Sequence, residues 1–291
     1  MTQRPHTYQE ALSDAATRLA EAGIATSRLD AEVLLRHLSG LSRAEFFLQY
    51  PDPICGRRVQ LYADLLSRRV AGEPVAYLTG AREFMGLAFE VAPGVLIPRP
   101  ETELLVEWAL AVLDSMEEPV VVDVGTGAGA IAVSLAALAP FPFQIIATDI
   151  SAQSLCIARR NADTLLNSTR RERLRIQPGS LLEPLSSPVN LVLANLPYLT
   201  PEQIASNPDL EAEPRLALDG GRDGLDLVRD LIADLPGVLA PGGGVGLELD
   251  PAQTGTVEHI LRDMFPGRTV HTIHDLAGLA RHVVMEPSSE R

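Results

Sequence analysis

The stretch VVVDVGTGAGAIAVSLAALA, residues 120–139, decides the fold of this 291-residue chain. It begins with a short apolar run that is typical of a buried strand and ends with a longer apolar run that is typical of a helix. Between these runs, Gly125, Gly127 and Gly129 allow a tight turn and the close approach of a ligand to the backbone. Free amides at the start of the helix favour a nucleotide-type cofactor. The loop alone fits the dinucleotide pattern as well as other cofactor classes, and glycine loops without a ligand also exist.

Short strand candidates alternate with helical stretches on the C-terminal side of this loop. The predicted strands are residues 120–124, 144–148, 174–177, 189–194 and 243–249, and the predicted helices are 130–139, 151–166 and 224–239. Such alternation predicts an α/β domain with a parallel sheet that helices cover on both faces. Ligands of open α/β sheets bind at the carboxyl ends of the strands.

Two aspartates accompany the glycine loop. Asp149 ends the second strand, 24 residues after Gly125, where a carboxylate can accept both hydroxyl hydrogens of a ribose. The alternative is that Asp149 only caps the helix that begins near Ser151. Asp123 precedes Gly125 by two residues, and a carboxylate there suits the amine of S-adenosylmethionine but not the pyrophosphate of a dinucleotide. Asp123 therefore favours S-adenosylmethionine over a nicotinamide cofactor.

A tetrapeptide, Asn195-Leu196-Pro197-Tyr198, follows the fourth predicted strand. The side-chain carbonyl of Asn195 and the adjacent backbone carbonyl can accept both N–H bonds of a planar NH2 group, which aims the nitrogen lone pair at a methyl donor. Tyr198 can stack on the planar group. As an isolated string the tetrapeptide is more typical of a turn. Its place after the glycine loop, the acid-ended strand and a fourth strand favours the catalytic interpretation.

The N-terminal part has a different pattern. Apolar residues recur at helical spacing from Thr7 to about Val70, which predicts a small helical bundle. Thr7 with Glu10, and Ser42 with Glu45, fit the capping box at a helix start. The apolar face of such a bundle is core more often than it is a binding surface.

A hairpin is predicted between the two parts, because apolar residues alternate on either side of residues 92–94. Proline and acidic residues at Pro100 and Glu101 then open a helix. We therefore expect a helical domain over 1–74, a hairpin linker over 75–98 and a catalytic domain over 99–291.

Composition and charge exclude several classes of protein. Apolar residues make up 46% and charged residues 21%, which excludes a largely disordered chain. The chain has no lysine, and residues 96–291 hold 14 arginines against 27 acidic residues, whereas residues 1–95 hold 10 against 11. A domain with this excess of acidic residues repels the phosphate backbone of a nucleic acid. The sequence shows no apolar run of about 18 residues, no signal-peptide pattern and only two cysteines. We therefore expect a cytoplasmic protein.

No metal site is expected from the sequence. His271, His274 and His282 lack cysteine or acidic partners at ligand spacing. Cys55 and Cys156 are interpreted as small buried apolar residues and not as nucleophiles.

The motifs DVGTGAG, TDIS and NLPY, in this order, resemble class I S-adenosylmethionine-dependent methyltransferases that act on a planar amine. The stretches EPVAYLTGAREFMGLAFEVAPGVLIPRPETELLVE and EPRLALDGGRDGLDL resemble a narrower family, the protein-(glutamine-N5) methyltransferases of peptide chain release factors, or PrmC/HemK family. This resemblance implies a Rossmann-like, mostly parallel seven-stranded sheet. It also implies methylation of the side-chain amide nitrogen of the glutamine in the Gly-Gly-Gln motif of class 1 release factors, which modulates translation termination.

The resemblance implies a role for each matching residue. Asn195, Leu196, Pro197 and Tyr198 would hold the glutamine, and the helical N-terminal domain would help to grip the release factor. The residues that would hold S-adenosylmethionine are Gly125, Thr126, Gly127, Ala128, Gly129, Asp149, Ser180, Leu181 and Asn195. Two positions depart from the family pattern, because Leu196 replaces a proline and Ser180 replaces an acid near the adenine. We expect a monomer that binds neither DNA nor a membrane.

Three rival functions are compatible with parts of the sequence. An adenine-N6 methyltransferase would use the same tetrapeptide on a flipped base, but it should carry a basic groove or a large insertion. A nicotinamide oxidoreductase would leave Asp123 and the tetrapeptide unexplained. A binding module would keep the cofactor pocket without turnover. Arg99, and Glu213 with Arg215, either shape the substrate entrance or form ordinary surface salt bridges.

Overall fold

The structure is a computed structural model that describes residues 7–54 and 56–288. Cys55 lies outside the described residues. The chain divides into two compact units, Met1–Gly80 and Ala81–Arg291, which we call the helical unit and the sheet unit. The hairpin lies in the sheet unit. The three-part functional division, with boundaries at 74/75 and 98/99, stays a prediction.

The helical unit confirms the predicted bundle. Both capping boxes form, with Thr7 and Ser42 accepting the backbone amides of Glu10 and Glu45. Its helices are α1 (Tyr8–Glu21), α2 (Ser27–Ser39), α3 (Arg43–Leu48), α4 (Arg57–Val70) and α5 (Val75–Thr79). Their apolar faces bury a common core that includes Leu12, Leu34 and Phe46, so the sequence pattern in this region is explained by packing.

The sheet unit alternates strands and helices, as predicted. Its strands are β1 (Ala81–Phe84), β2 (Leu87–Glu90), β3 (Val120–Val124), β4 (Gln144–Asp149), β5 (Leu174–Pro178), β6 (Val189–Ala194), β7 (Leu239–Glu248), β8 (Val270–His274) and β9 (Ala280–Met285). Its helices are α6 (Thr102–Leu113), α7 (Ala130–Leu138), α8 (Ala152–Leu165), α9 (Ser168–Arg171), α10 (Pro201–Ser206), α11 (Asp226–Val238) and α12 (Thr254–Met264).

A seven-stranded sheet forms the centre of this unit, in the order β5-β4-β3-β6-β7-β9-β8. The first five strands in that order are parallel, and β9 runs antiparallel to both of its neighbours. The expected Rossmann-like, mostly parallel sheet is therefore confirmed. Alternate residues along a strand enter different cores, as Val121 and Val122 do, because successive side chains point to opposite faces of a sheet.

The predicted position of the hairpin turn is wrong. Strands β1 and β2 are joined by Met85 and Gly86, whose φ angles are 52° and 71°. A two-residue turn with positive φ at both positions matches the twist of the flanking strands. Methionine is uncommon in that conformation, so the turn left little trace in the sequence. Residues 92–94 form only a local turn, in which the Val95 amide donates to the Ala92 carbonyl at 3.1 Å.

The sheet register determines where the site lies. Val124, the last residue of β3, is paired with Thr148 on one side and with Ala194 on the other. The residues that follow these three positions are Gly125, Asp149 and Asn195. Since the carboxyl ends of parallel strands share one edge of the sheet, the glycine loop, the acid and the tetrapeptide begin side by side.

Candidate functional site

A cavity of about 700 Å³ opens at this edge of the sheet. It is lined by residues from several loops, and ten of them were predicted as site residues: Gly125, Thr126, Gly127, Ala128, Asp149, Ser180, Leu181, Asn195, Leu196 and Pro197. Gly129 does not line it. A Cβ at Gly129 would lie 3.0 Å from Val133 Cγ2 and 3.3 Å from Ala158 Cβ, so this glycine permits the packing of α7 on α8.

The glycine loop has the backbone that its sequence demands. Gly125 and Gly127 have φ angles of 71° and 57°, in the left-handed region. The Thr126 amide donates to the Thr148 carbonyl at 2.9 Å, which joins the loop to the next strand. A Cβ at Gly127 would meet nothing nearer than the Gly125 carbonyl oxygen, at 4.0 Å. A side chain at Gly127 would therefore project into the space that a ligand would fill.

Asp149 is held by backbone amides on both of its oxygens. Oδ2 accepts from the Gly127 amide at 2.9 Å, and Oδ1 accepts from the Ser151 amide at 2.8 Å. Burial raises the pKa of Asp149, and the bonds from Ser151 and Gly127 oppose that rise. The N-cap of α8 is Ser151, whose own hydroxyl accepts from the Ser154 amide. Each carboxylate oxygen keeps a free lone pair that can accept a ligand hydroxyl.

Asp123 contains a buried oxygen atom without a partner. Its Oδ2 accepts from Thr126 Oγ1 at 2.6 Å and from the Ala132 amide at 3.1 Å, whereas Oδ1 has no hydrogen bond. Burial raises the pKa of Asp123 to about 7, and the charge of Asp149 adds to that rise. Buried polar atoms in proteins nearly always have a partner. Asp123 is one of the residues that line the cavity, so its unpartnered oxygen suits a ligand amine, and the site fits S-adenosylmethionine.

The side chain of Asn195 is oriented by a residue that the sequence interpretation missed. Asn195 Nδ2 donates to Thr102 Oγ1 at 3.0 Å. Thr102 begins α6 and is buried. This bond uses the donor end of the amide, so the carbonyl oxygen Oδ1 is left to accept from a substrate. Thr102 lies within the IPRPETELLVE stretch, but no local pattern marks it as a partner of Asn195.

Leu196 is turned into the core. Its side chain is 5% exposed and belongs to the cluster that covers one face of the sheet. A Cβ at Gly125 would lie 3.0 Å from Leu196 Cδ2. The side chain thus packs under the glycine loop, which explains how a residue other than proline fits at this position.

The stretch EPRLALDGGRDGLDL holds the tetrapeptide from outside. The Leu199 amide donates to the Leu218 carbonyl, and the Gly220 amide donates to the Leu199 carbonyl. A Cβ at Gly220 would lie 2.5 Å from the Pro197 carbonyl oxygen and 2.8 Å from Tyr198 Cα. Gly220 is therefore required by close backbone contact with the tetrapeptide, and its role was not predicted from the sequence.

Arg99, Glu213 and Arg215 form two unrelated pairs. Glu213 is buried, accepts from the Ile97 amide at 3.2 Å and pairs with Arg99. Arg215 pairs instead with Asp219 at 3.0 Å, and its side chain is 69% exposed. Glu213 and Arg215 are two residues apart in the sequence but bond to different partners. Arg215 and Asp219 both line the cavity, so their exposed salt bridge lies at its wall. The Arg99–Glu213 pair and the bond from the Ile97 amide hold the 97–99 segment in place.

A second cavity, of about 370 Å³, adjoins the first. Asn195 and Arg99 line both cavities, whereas Tyr198, Leu199 and Gln203 line only the second. Asn195 therefore lies between a space that fits the cofactor and a space from which a substrate side chain can reach it.

The predicted burial of Cys156 is wrong, because it lies on the exposed face of α8. Within residues 7–54 and 56–288, no group of three or more His, Cys, Asp or Glu side chains is placed to hold a metal ion. No helix in the described ranges combines the length and the apolar character needed to cross a membrane.

Two family models match the chain. Residues 10–80 match the PrmC N-terminal domain, and residues 101–221 match the methyltransferase small domain. Proteins named release factor glutamine methyltransferase are similar over most of the chain. The one from Deinococcus radiodurans is 38% identical over 94% of this chain and 96% of its own length. Those from Moorella thermoacetica and Bordetella pertussis are 40% and 41% identical and cover 94% and 90% of this chain and 96% and 95% of their own lengths.

Solved structures share the fold at lower identity. The hMettl16 catalytic domain in complex with MAT2A 3′UTR hairpin 6 is 15% identical, with a TM-score of 0.56 over 78% of this chain and 83% of that chain. The delta-N METTL16 MTase domain is 17% identical, with a TM-score of 0.51 over 69% and 89%. These similarities show a methyltransferase fold and nothing about the substrate.

Proposed function

Because this chain belongs to the release factor glutamine methyltransferase family, we propose that its two cavities and the tetrapeptide between them form the site of glutamine methylation. The chain is an enzyme that methylates the side-chain amide nitrogen of a release factor glutamine. We assign this glutamine to the Gly-Gly-Gln motif of class 1 release factors. The observation that carries the site assignment is the bond from Asn195 Nδ2 to Thr102, which leaves Asn195 Oδ1 as an acceptor between the cavities.

The larger cavity is assigned to S-adenosylmethionine, which supplies the methyl group. Asp149 accepts the ribose hydroxyls through the lone pairs that its two backbone amides leave free. Asp123 Oδ1 accepts from the amine, which satisfies its buried oxygen. Ser180 and Leu181 face the adenine from the loop after β5. Leu181 has a φ of 46°, and Thr148 Oγ1 donates to its carbonyl at 3.2 Å, so the loop is held in a conformation unusual for leucine.

The smaller cavity is assigned to the glutamine side chain. Asn195 Oδ1 and the Leu196 carbonyl accept the two amide N–H bonds, and the ring of Tyr198 stacks on the planar group. Gripping both hydrogens favours a nitrogen lone pair that points at the methyl group, since an amide lone pair is otherwise delocalised. No carboxylate or histidine reaches Asn195 by a hydrogen bond in the described part of the chain, so the amide proton leaves to solvent after transfer.

The helical unit is assigned to release factor binding, because residues 10–80 match the model of the PrmC N-terminal domain. We propose that the enzyme acts as a monomer in the cytoplasm, where release factors work, and not on DNA. The sheet unit is strongly acidic, with 14 arginines against 27 acidic residues over 96–291, and a phosphate backbone would be repelled.

The experiment that tests this function uses labelled S-adenosylmethionine and three acceptors. They are a purified class 1 release factor, the same factor with the glutamine of its Gly-Gly-Gln motif changed to alanine, and duplex DNA. Label on the unchanged factor alone supports the proposal. Label on DNA, or on both forms of the factor equally, would show that the site acts on a different substrate.

A further inference from the structure

A chain of three polar side chains lies behind the tetrapeptide. Tyr198 Oη donates to Glu248 Oε1 at 3.4 Å, and Glu248 Oε2 lies 3.4 Å from His282 Nε2. Glu248 is 2% exposed and His282 is fully buried. The two residues are directly opposite each other on β7 and β9. The sheet therefore presents a buried carboxylate to the hydroxyl of a proposed site residue.

The fold itself gives no reason for this polar pair. Further along the same two strands, the register partners are apolar, as in Leu247 with Val283 and Val245 with Met285. A buried carboxylate is costly unless it is well bonded, and apolar side chains of similar size are often at least as stable. In the described ranges Glu248 has no arginine partner, and nearby Arg281 pairs with Asp275 at 3.0 Å. The polar pair occurs at the end of the ladder that faces Tyr198.

Of these three side chains, only Tyr198 reaches the space assigned to the substrate. It lines the second cavity together with Asn195, and its backbone carbonyl accepts from Gln253 Nε2 at 2.8 Å. Burial raises the pKa of Tyr198, and the charge of Glu248 adds to that rise. The hydroxyl therefore stays protonated and acts as a donor. Gln253 fixes the backbone of Tyr198, and Glu248 is the group bonded to the far end of its ring.

We infer that Glu248 and His282 are positioning residues for Tyr198. The carboxylate of Glu248 accepts from the Tyr198 hydroxyl and fixes the plane of the ring against the substrate amide, and His282 Nε2 donates to the other carboxylate oxygen and holds Glu248 in place. This inference rests on the role proposed for Tyr198. It extends the site by two residues that contact neither substrate nor cofactor.

A double-mutant cycle tests the inference, because the effects of independent residues add, whereas those of residues that act through one another do not. The variants are Tyr198→Phe, Glu248→Leu and the two combined, with kcat measured at saturating release factor and S-adenosylmethionine. Each single change should lower kcat by roughly 3- to 10-fold, the equivalent of one ordinary hydrogen bond. The combined variant should be no slower than the slower single variant. Glu248→Gln keeps a carbonyl acceptor for the phenol and should retain most of the activity.

Structural damage is separated from positioning by two further measurements. Affinity for S-adenosylhomocysteine should be unchanged in every variant, because none of these residues lines the cofactor cavity. His282→Leu is run in the same cycle and carries the test if Glu248→Leu does not fold. It should lower kcat with Tyr198 present and have no effect after Tyr198→Phe.

Multiplicative losses in the combined variants, or full activity of Tyr198→Phe, would overturn the inference. Neither result would contradict the proposed function. That function is contradicted only if the unchanged enzyme does not methylate the release factor glutamine.

Discussion

Asn195 Nδ2 donates to Thr102 Oγ1 at 3.0 Å, across 93 residues of sequence. The bond joins the end of β6 to the first turn of α6, and it determines which end of the Asn195 amide is free. If Asn195 holds the substrate amide as proposed, Thr102 acts on that amide without contacting it, because an amide that has donated to threonine presents its oxygen to the opposite side.

Replacing Thr102 should therefore affect turnover more than binding. Thr102→Val keeps the shape of the buried side chain and removes the acceptor, so we expect kcat to fall roughly 3- to 10-fold while the Kd for S-adenosylhomocysteine stays within about twofold. Thr102→Ser keeps the hydroxyl and serves as the matched control. Steady-state kinetics and calorimetry check this pair. Equal activity of the Val and Ser variants would show that Thr102 does not orient Asn195.

Asp123 should make stability depend on pH. Its pKa in the folded protein is raised to about 7 by burial, whereas an unfolded aspartate titrates near about 3.9. Between these values the folded state holds a proton that the unfolded state has lost, so this residue's contribution to stability falls as the pH rises from about 4 to about 7. Asp123→Asn cannot titrate and should lack this slope. Denaturant unfolding of both proteins across that window measures the difference, and parallel curves would refute the assignment.

Asp149 should act on cofactor binding before it acts on chemistry. Asp149→Ala removes the two proposed ribose contacts and the acceptor for the Gly127 and Ser151 amides. We expect the Kd for S-adenosylhomocysteine to rise by at least about tenfold. Gln153→Ala on the adjacent helix is a suitable control, since its amide donates to the Pro93 carbonyl and it is not among the residues that line the cavity. Unaltered affinity of the Asp149 variant would count against the ribose contact.

Gly220 should be intolerant of the smallest side chain. In Gly220→Ala the new Cβ would lie 2.5 Å from the Pro197 carbonyl oxygen, and the tetrapeptide would have to shift. A misplacement of this kind costs about 100-fold in rate when it reaches the reacting groups. Gly255→Ala is the matched control, because a Cβ in that part of α12 meets nothing within 4 Å. Comparable kcat values for the two variants would show that Gly220 does not hold the tetrapeptide.

Strands with continuous apolar runs were predictable from the sequence. β3 and β6 have the predicted bounds, and β4 and β5 each extend one residue further. β8 and β9 show no apolar periodicity, because histidine, threonine and arginine occupy positions such as His271, Thr272 and Arg281. Only the family resemblance implied a seven-stranded sheet. The first residues of β7 were missed because a proline and glycines follow Leu239, which is typical of a loop.

The site was predictable only where a motif follows a strand. Position in the sheet is enough to place Asp149 and Asn195 at one edge, since parallel strands share their carboxyl ends. Thr102, Gly220 and Glu248 become visible only through contacts with residues distant in sequence, such as the 93-residue separation between Thr102 and Asn195. No local pattern marks a residue whose role is to orient another.

The most direct test of the whole account compares the unchanged enzyme with Asn195→Ala on one release factor. Peptide mass analysis locates the methyl group, and calorimetry measures the Kd for S-adenosylhomocysteine. We predict one methyl group on the amide nitrogen of the Gly-Gly-Gln glutamine with the unchanged enzyme. For Asn195→Ala we predict a rate at least about 100-fold lower, with cofactor affinity within a few-fold. Methylation at another residue, or undiminished turnover by Asn195→Ala, would contradict the account.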